Sequence, residues 1–247
     1  MRASKDCGKS SQTEMIEPDL ESITSRPFFC SWSGGKDSCL ALYHAIRGKG
    51  KPKRLLTMMS EGDRGSRSHA LPRSLLEDQA RQLGIPIVFR SVSWEAYEAV
   101  FSAALREFKA DGIDEGVFGD IDVEPHRDWC LRVCGASGIR ACHPLWKRPR
   151  RELLEEFIDL GFRAVIVVTN ADTLGPEWLG RTIDRNAITE LEKIGIDPSG
   201  ESGEYHTVVT GGPIFQSSIH VNFQEPVLHD GYWFLRVAGP RGDDPTG

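Results

Sequence analysis

Residues 28–46 read Phe-Phe-Cys-Ser-Trp-Ser-Gly-Gly-Lys-Asp-Ser-Cys-Leu-Ala-Leu-Tyr-His-Ala-Ile, and the folding of this stretch decides the architecture of the 247-residue chain. Phe28, Phe29, Cys30 and Trp32 form a nearly unbroken apolar run, the pattern of a parallel strand covered on both faces. Gly34 and Gly35 then allow a sharp turn and a close approach of backbone to a ligand. Cys39, Leu42 and Ile46, with Ala45 beside them, recur at helical spacing, so a helix is expected from about Asp37 or Ser38. A helix N-terminus behind a glycine turn binds anions, because free N–H groups and the positive end of the helix dipole point the same way. The plain alternative is an ordinary strand–helix turn with a solvated lysine. Ser33, Lys36, Asp37 and Ser38 offer more polar groups than such a turn requires.

Working outward, Arg54–Ser60 reads as a second strand, Ser74–Leu83 as a helix, Ile85–Arg90 as a third strand and residues 94–110 as an amphipathic helix. Gly116–Ile121 reads as a fourth strand ending on Asp120, followed by helices at Glu124–Ser137 and Glu152–Leu160. The fully apolar Ala164–Thr169 is expected to be a fifth, central strand, and Asp184–Ile194 a further helix. Strands alternating with helices predict an α/β fold with a parallel five-stranded Rossmann-like sheet and helices on both faces. Tyr205–Val209, Ile219–Phe223 and Tyr232–Val237, separated by Gly211-Gly212-Pro213 and His229-Asp230-Gly231, predict a small C-terminal antiparallel region. The expected organisation is a disordered leader at 1–26, an anion-binding α/β domain at 27–195, a small C-terminal substrate-binding region at 196–238 and a flexible tail at 239–247.

Ligands in such sheets bind beyond the carboxyl ends of the strands. Residues 33–38, the long polar loop from Glu61 to Leu71, Asp120 and Asn170–Asp172 are therefore expected to converge on one crevice. Gly8-Lys9-Ser10 looks like the end of a phosphate loop, but Ala stands at position 3 and no strand precedes it.

A formal charge of −6 argues against affinity built on nucleic-acid phosphates. No run of 18 apolar residues occurs and the first 26 residues are polar, so no membrane association and a cytoplasmic location are expected. The six cysteines, in a chain too large to need disulfide staples, read as reduced thiols. Cys130-x-x-x-Cys134 with Cys142-His143 invites a zinc reading, but that helical spacing is poor for a metal and no further ligand pair accompanies it.

The hexamer Ser33-Gly-Gly-Lys-Asp-Ser38 after an apolar strand resembles the PP-loop of the ATP pyrophosphatases. With Phe118-Gly-Asp-Ile121, Pro144-Leu-Trp146, Leu179-Gly-Arg181 and Asp197-Pro-Ser-Gly-Glu-Ser-Gly-Glu-Tyr-His-Thr207 following in order, residues 28–225 resemble the diphthine-ammonia ligase family. The resemblance implies an adenine nucleotide alpha hydrolase-like (HUP) domain with a small family-specific region, and an ATP-dependent, AMP-forming amide synthesis. The family tends to read G-E-G-G-E-Y-E-T where this chain reads Gly200-Glu-Ser-Gly-Glu-Tyr-His-Thr207, and often carries Cys where Ser199 stands. A histidine in place of a fixed anion puts diphthine itself in question as the acceptor.

The residues suit attack by a substrate carboxylate on the α-phosphorus of ATP. Ser33, Gly34, Gly35, Lys36 and Ser38 would hold the departing pyrophosphate, and Asp37 would bind Mg2+. Ammonia would then meet the acyl adenylate, with Glu201 or Glu204 attracting ammonium or taking its proton. Asp120 is read as a nucleotide contact or a helix N-cap, and His69 as a nucleotide contact or solvated surface. Gly200, Tyr205, His206 and Thr207 are read as a substrate pocket, with His206 otherwise a cap or core group. Arg127 and Arg181 are read as contacts to phosphate or carboxylate, or as surface ion pairs. The partners expected are ATP, ammonia and a carboxylate on a small molecule or a modified protein side chain, with a homodimer left open. Two other classes stay open: a tRNA-modifying or sulfur-transferring PP-loop enzyme working through a cysteine such as Cys39 or Cys142, and a nucleotide-binding module without turnover.

Overall fold

A computed structural model describes residues 23–61, 65–66 and 69–237. Most of the expected leader, the tail, Cys7, Gly8-Lys9-Ser10, Arg67 and Ser68 lie outside the described residues.

The apolar run around Phe28 forms β1 (Pro27–Ser31), and Gly35 ends the turn as the N-cap of α1 (Lys36–Arg47). The alternation continues with β2 (Lys51–Met59), α2 (Arg73–Leu83), β3 (Ile87–Ser91), α3 (Tyr97–Ala110), β4 (Glu115–Val117), α4 (Glu124–Ala136) and β5 (Arg140–Cys142). All neighbouring pairs run parallel, in the order β3-β2-β1-β4-β5. β1 lies at the centre and separates two cores. Phe28 and Cys30 enter one with Leu42 and Leu76, while Phe29 enters the other, its ring centroid 5.3 Å from Phe108 and 5.9 Å from Phe118. Burying one such phenyl contributes roughly 2–3 kcal/mol.

The chain order reverses at β1, which has β2 on one side and β4 on the other, so the crevice of a doubly wound sheet opens at their carboxyl ends.

The second half contains α5 (Arg150–Asp159), β6 (Arg163–Asn170), a 3-10 turn at Pro176–Trp178, α6 (Arg185–Lys193), β7 (Tyr205–Gly211), β8 (Phe223–His229) and β9 (Tyr232–Val237). Its four strands form a separate antiparallel sheet in the order β7-β6-β9-β8. Three expectations are corrected here. Ala164–Thr169 is central, but in the antiparallel sheet; a strand covered on both faces carries no periodic mark of its neighbours' direction. The fifth parallel strand is instead Arg140–Cys142, too short for a pattern to register. The strand expected at Ile219–Phe223 begins only at Phe223 and runs to His229.

The two sheets meet at the glycine loop. The amide of Val209 on β7 donates to the Gly34 carbonyl at 2.9 Å. Gln79 of α2, fully buried, donates through Nε2 to the same carbonyl at 2.9 Å and to the Val209 carbonyl at 2.8 Å, and accepts from Trp32 Nε1 at 2.9 Å. One side-chain amide thus joins β1, the loop and β7. Gly34 has φ +84, a backbone that L side chains resist, and a Cβ there would lie 2.8 Å from Gln79 Oε1 and from Leu71 and Leu76.

Replacing Gln79 by Leu leaves buried groups without their bonds, each costing about 1–3 kcal/mol. Urea unfolding of Gln79→Leu is expected to show a loss of roughly 3 kcal/mol at unchanged slope; a loss under about 0.5 kcal/mol would contradict this role.

Candidate active site

The turn after β1 is tied by its own hydroxyls. Ser33 Oγ accepts from the Gly35 amide at 3.2 Å and lies 3.1 Å from Ser38 Oγ, which donates to the Gly35 carbonyl at 3.1 Å. Thr207 of β7 reaches across so that its Oγ1 accepts from the Lys36 amide at 3.1 Å. The Gly35 and Lys36 amides of the turn therefore each donate to a side-chain hydroxyl.

Above the turn lies a cavity of about 420 Å3, bounded by the ends of β1, β2 and β4 and by the loop that leads into β7. Ser33, Lys36, Asp37, Ser38, His69, Asp120, Gly200, Glu201, Tyr205, His206 and Thr207 all line it. Gly34 and Gly35 are not among its lining residues; Gly34 packs against Gln79, Leu71 and Leu76. A Cβ on Gly35 would lie 2.5 Å from His69 Nε2 and 3.2 Å from the Thr207 carbonyl, so the turn and β7 can approach this closely only at a glycine.

The structure leaves other expected residues outside the cavity. Glu204 is buried, and its carboxylate accepts from the Ser202 amide at 3.0 Å, bracing the loop. Arg127 stacks its guanidinium 4.7 Å from the Trp146 ring. Arg181 pairs with Glu190 at 2.8 Å and lies 4.0 Å from the Trp178 ring, as a surface ion pair does. Glu61 faces a neighbouring groove that shares His69 with the cavity, and Asn170–Asp172 follow β6 in the other sheet. Asp120 is not a helix cap, since Val123 takes that position on α4.

Sequence reasoning missed Thr57, Tyr97, His126 and Gly119 of the lining. Gly119 packs against the first turn of α1, where a Cβ would lie 2.8 Å from the Ser38 amide nitrogen. Its place inside the Phe118–Ile121 motif was the available signal. Thr57, Tyr97 and His126 sit within ordinary strand and helix patterns and carried none.

Lys36 is buried, and its Nζ donates to Asp37 Oδ2 at 2.8 Å while lying 5.6 Å from the Tyr205 ring centroid. Burial works against its charge, but Asp37, Tyr205 and Glu201 raise its pKa above the usual ammonium value. Burial and the nearby Asp37 push the Glu201 carboxyl up to about 7, against the pull of Lys36 and Arg150. The His69 and His206 rings lie 4.7 Å apart between centroids. Burial and the Lys36 charge push His206 down to about 4, while burial, His206 and Lys36 hold His69 well below the usual imidazole value. At neutral pH the Lys36 ammonium and Asp37 therefore face a partly ionised Glu201 and the uncharged imidazoles of His69 and His206, while a third lining imidazole, His126, is pushed toward its charged form by Asp120.

A parallel sheet with Ser-Gly-Gly-Lys-Asp-Ser at its switch point and a polar cavity above it defines a PP-loop protein of the ATP-pyrophosphatase class. Residues 28–141 match the diphthamide synthase N-terminal domain and residues 149–238 the diphthamide synthase C-terminal domain. The chain belongs to the diphthamide synthase family. It is 27% identical to the diphthine–ammonia ligase of Rattus norvegicus over 83% of this chain and 86% of that protein. It is 34% identical to the Homo sapiens diphthine–ammonia ligase over 43% of this chain and 41% of that protein, and 30% identical to the Danio rerio one over 57% of each. These last two alignments span less than two thirds of the relatives' lengths.

His206 gives a pH test of the site. In the unfolded chain an imidazole takes its proton near pH 6.5, whereas folded His206 refuses it until about 4. Between these values the unfolded state binds more protons. The His206 contribution is therefore complete above about pH 6.5 and lost as pH falls toward 4, by roughly 2–3 kcal/mol. Wild type should lose that much relative to His206→Gln across this window in urea titrations; parallel pH curves would contradict the assignment.

Proposed function

We propose that the protein is an ATP-dependent carbon–nitrogen ligase that adenylates a carboxylate, releases pyrophosphate, and transfers the acyl group to ammonia with release of AMP. The observation that carries this reading is the buried Lys36 ammonium, held against Asp37 at the mouth of a glycine turn and facing a cavity shared with the Glu201 loop. Membership of the diphthamide synthase family supports it.

A carboxylate oxygen attacks the α-phosphorus, and the bond from that phosphorus to the bridging oxygen of pyrophosphate breaks. Negative charge grows on the leaving group, where the Lys36 ammonium and the hydroxyls of Ser33 and Ser38 lie. Ammonia then attacks the acyl carbon, AMP leaves with the bonding electrons, and the surplus proton passes to Glu201. A carboxyl that titrates near 7 suits that exchange. Asp37 and Glu201 both face the cavity and oppose each other's charge, so a cation between them is favourable. Mg2+, with phosphate oxygens completing its shell, would be held there by Asp37 and would neutralise the triphosphate.

The acceptor is a carboxylate on a small molecule or a modified protein side chain, and the reaction belongs in the cytoplasm. The uncharged His206 is the group that departs from the family's loop, and it gives the acceptor pocket a hydrogen-bonding wall in place of an anionic one. The sulfur-transfer alternative is disfavoured by the thiols. Cys39 and Cys142 are buried, and burial with Cys30 and Asp37 raises the Cys39 pKa well above its ordinary value, away from thiolate.

Incubation with ATP, Mg2+, ammonium and a cell extract supplying the acceptor should yield AMP and pyrophosphate in equal amounts. ADP as the product, or no turnover, would contradict the proposal. Lys36→Ala is expected to lower kcat about 100- to 1000-fold, the cost of one lost charge-stabilising donor. The ammonia step should rise as pH passes through about 7, where Glu201 ionises, and Glu201→Gln should abolish that limb; a Glu201→Gln profile that keeps the limb would remove Glu201 from the role.

A further inference from the structure

At the Asp120 edge of the cavity, three chemically different donors converge. Asp120 follows β4, Cys130 lies on α4, and His143 follows β5. One ligand atom from each lies within 4.8 Å of the others. Asp120 spans the gap: its Oδ2 is 3.8 Å from His143 Nε2 and its Oδ1 is 3.6 Å from His126 Nδ1. Both separations exceed the 2.7–3.2 Å typical of a hydrogen bond. His126 and Cys130 are four residues apart on α4, so they share one helix face.

We propose that Asp120, Cys130 and His143 form a zinc site whose fourth position opens toward His126 and the cavity. Zinc bonds of about 2.0–2.3 Å in tetrahedral geometry place donor atoms roughly 3.3–3.6 Å apart. From separations of up to 4.8 Å the triad needs to tighten by at most about 1.5 Å, through torsions of the partly exposed Asp120 and of the Cys130 side chain. One sulfur, one imidazole and one carboxylate select zinc over Mg2+ or Ca2+, which take oxygen ligands. The ring of His143 is buried and lies against Phe118, with centroids 5.3 Å apart and planes 20° apart, so its orientation is fixed before any metal arrives. Burial, Asp120 and Cys134 raise the pKa of the Cys130 thiol in the metal-free chain, so it is the charge of the entering metal that drives the thiol proton to solvent and lets the thiolate bind.

Cys130 and His143 both belong to the pattern that sequence spacing had set aside, and Asp120 is the ligand that pattern lacked. Cys134 and Cys142 do not belong to the triad, and the ligands come from three segments that only the fold brings together.

The site shares Asp120 with the cavity, and its metal content is tested without ATP turnover. The protein is purified with zinc in the medium, dialysed, and its metal content measured, alongside cobalt titration of the metal-free form. About one zinc per chain is expected, with a thiolate-to-cobalt charge-transfer band and the intense visible spectrum of a tetrahedral site. Cys130→Ser should remove the band and lower retained zinc at least tenfold. Retention of no metal, a weak octahedral cobalt spectrum, or a band that survives in Cys130→Ser would overturn the proposal. Should Cys130→Ser fail to fold, zinc-edge X-ray absorption of the wild type decides: one sulfur with nitrogen or oxygen neighbours supports the site, and none or several sulfurs refutes it. None of these outcomes bears on whether AMP is formed, so the two proposals stand or fall separately.

Discussion

The Gly34 carbonyl is the point on which the rest of the structure turns. It accepts from Gln79 of the first half and from the Val209 amide of the second, and the neighbouring Lys36 amide rests on Thr207. A glycine turn with positive φ is ordinarily mobile, because glycine loses more conformational freedom on folding than other residues. Here three buried bonds hold it. The antiparallel sheet thus forms part of the wall and the fastening of the cavity, and a chain lacking β7 would leave the turn without two of its supports.

That joint also sets the electrostatics. Because β7 closes over the turn, Lys36 is buried yet charged, and it is compensated by Asp37 at hydrogen-bond distance. The same burial keeps His69 and His206 neutral and lifts Glu201.

How much of this was legible in the sequence varies with the range of the interaction. The strand, turn and helix from Pro27 to Arg47 were readable because each rests on local signals: an apolar run, two glycines and a 3.6-residue period. The four lining positions in Gly200–Thr207 named besides Glu201 were readable as a dense polar loop. The membership of β6 was not, since Ala164–Thr169 looks alike in either kind of sheet. Gln79 was read only as a helix position between Leu76 and Ala80, and its role depends on Trp32 and Val209, 47 and 130 residues away. Of the triad, Cys130 and His143 stood in the zinc reading that spacing set aside, and what stayed hidden was Asp120, which lies on a third segment that only the fold brings to them.

If the turn and β7 open as one unit, their amides share a fate. Native-state hydrogen exchange followed residue by residue measures this directly. The Val209 amide, bonded to Gly34, is expected to exchange with the same opening free energy as the amides of Cys30 and Trp32 at the end of β1. Exchange at Val209 that is faster by two orders of magnitude or more, with β1 still protected, would mean that the second sheet lifts away by itself and that the cavity is not held by the joint described.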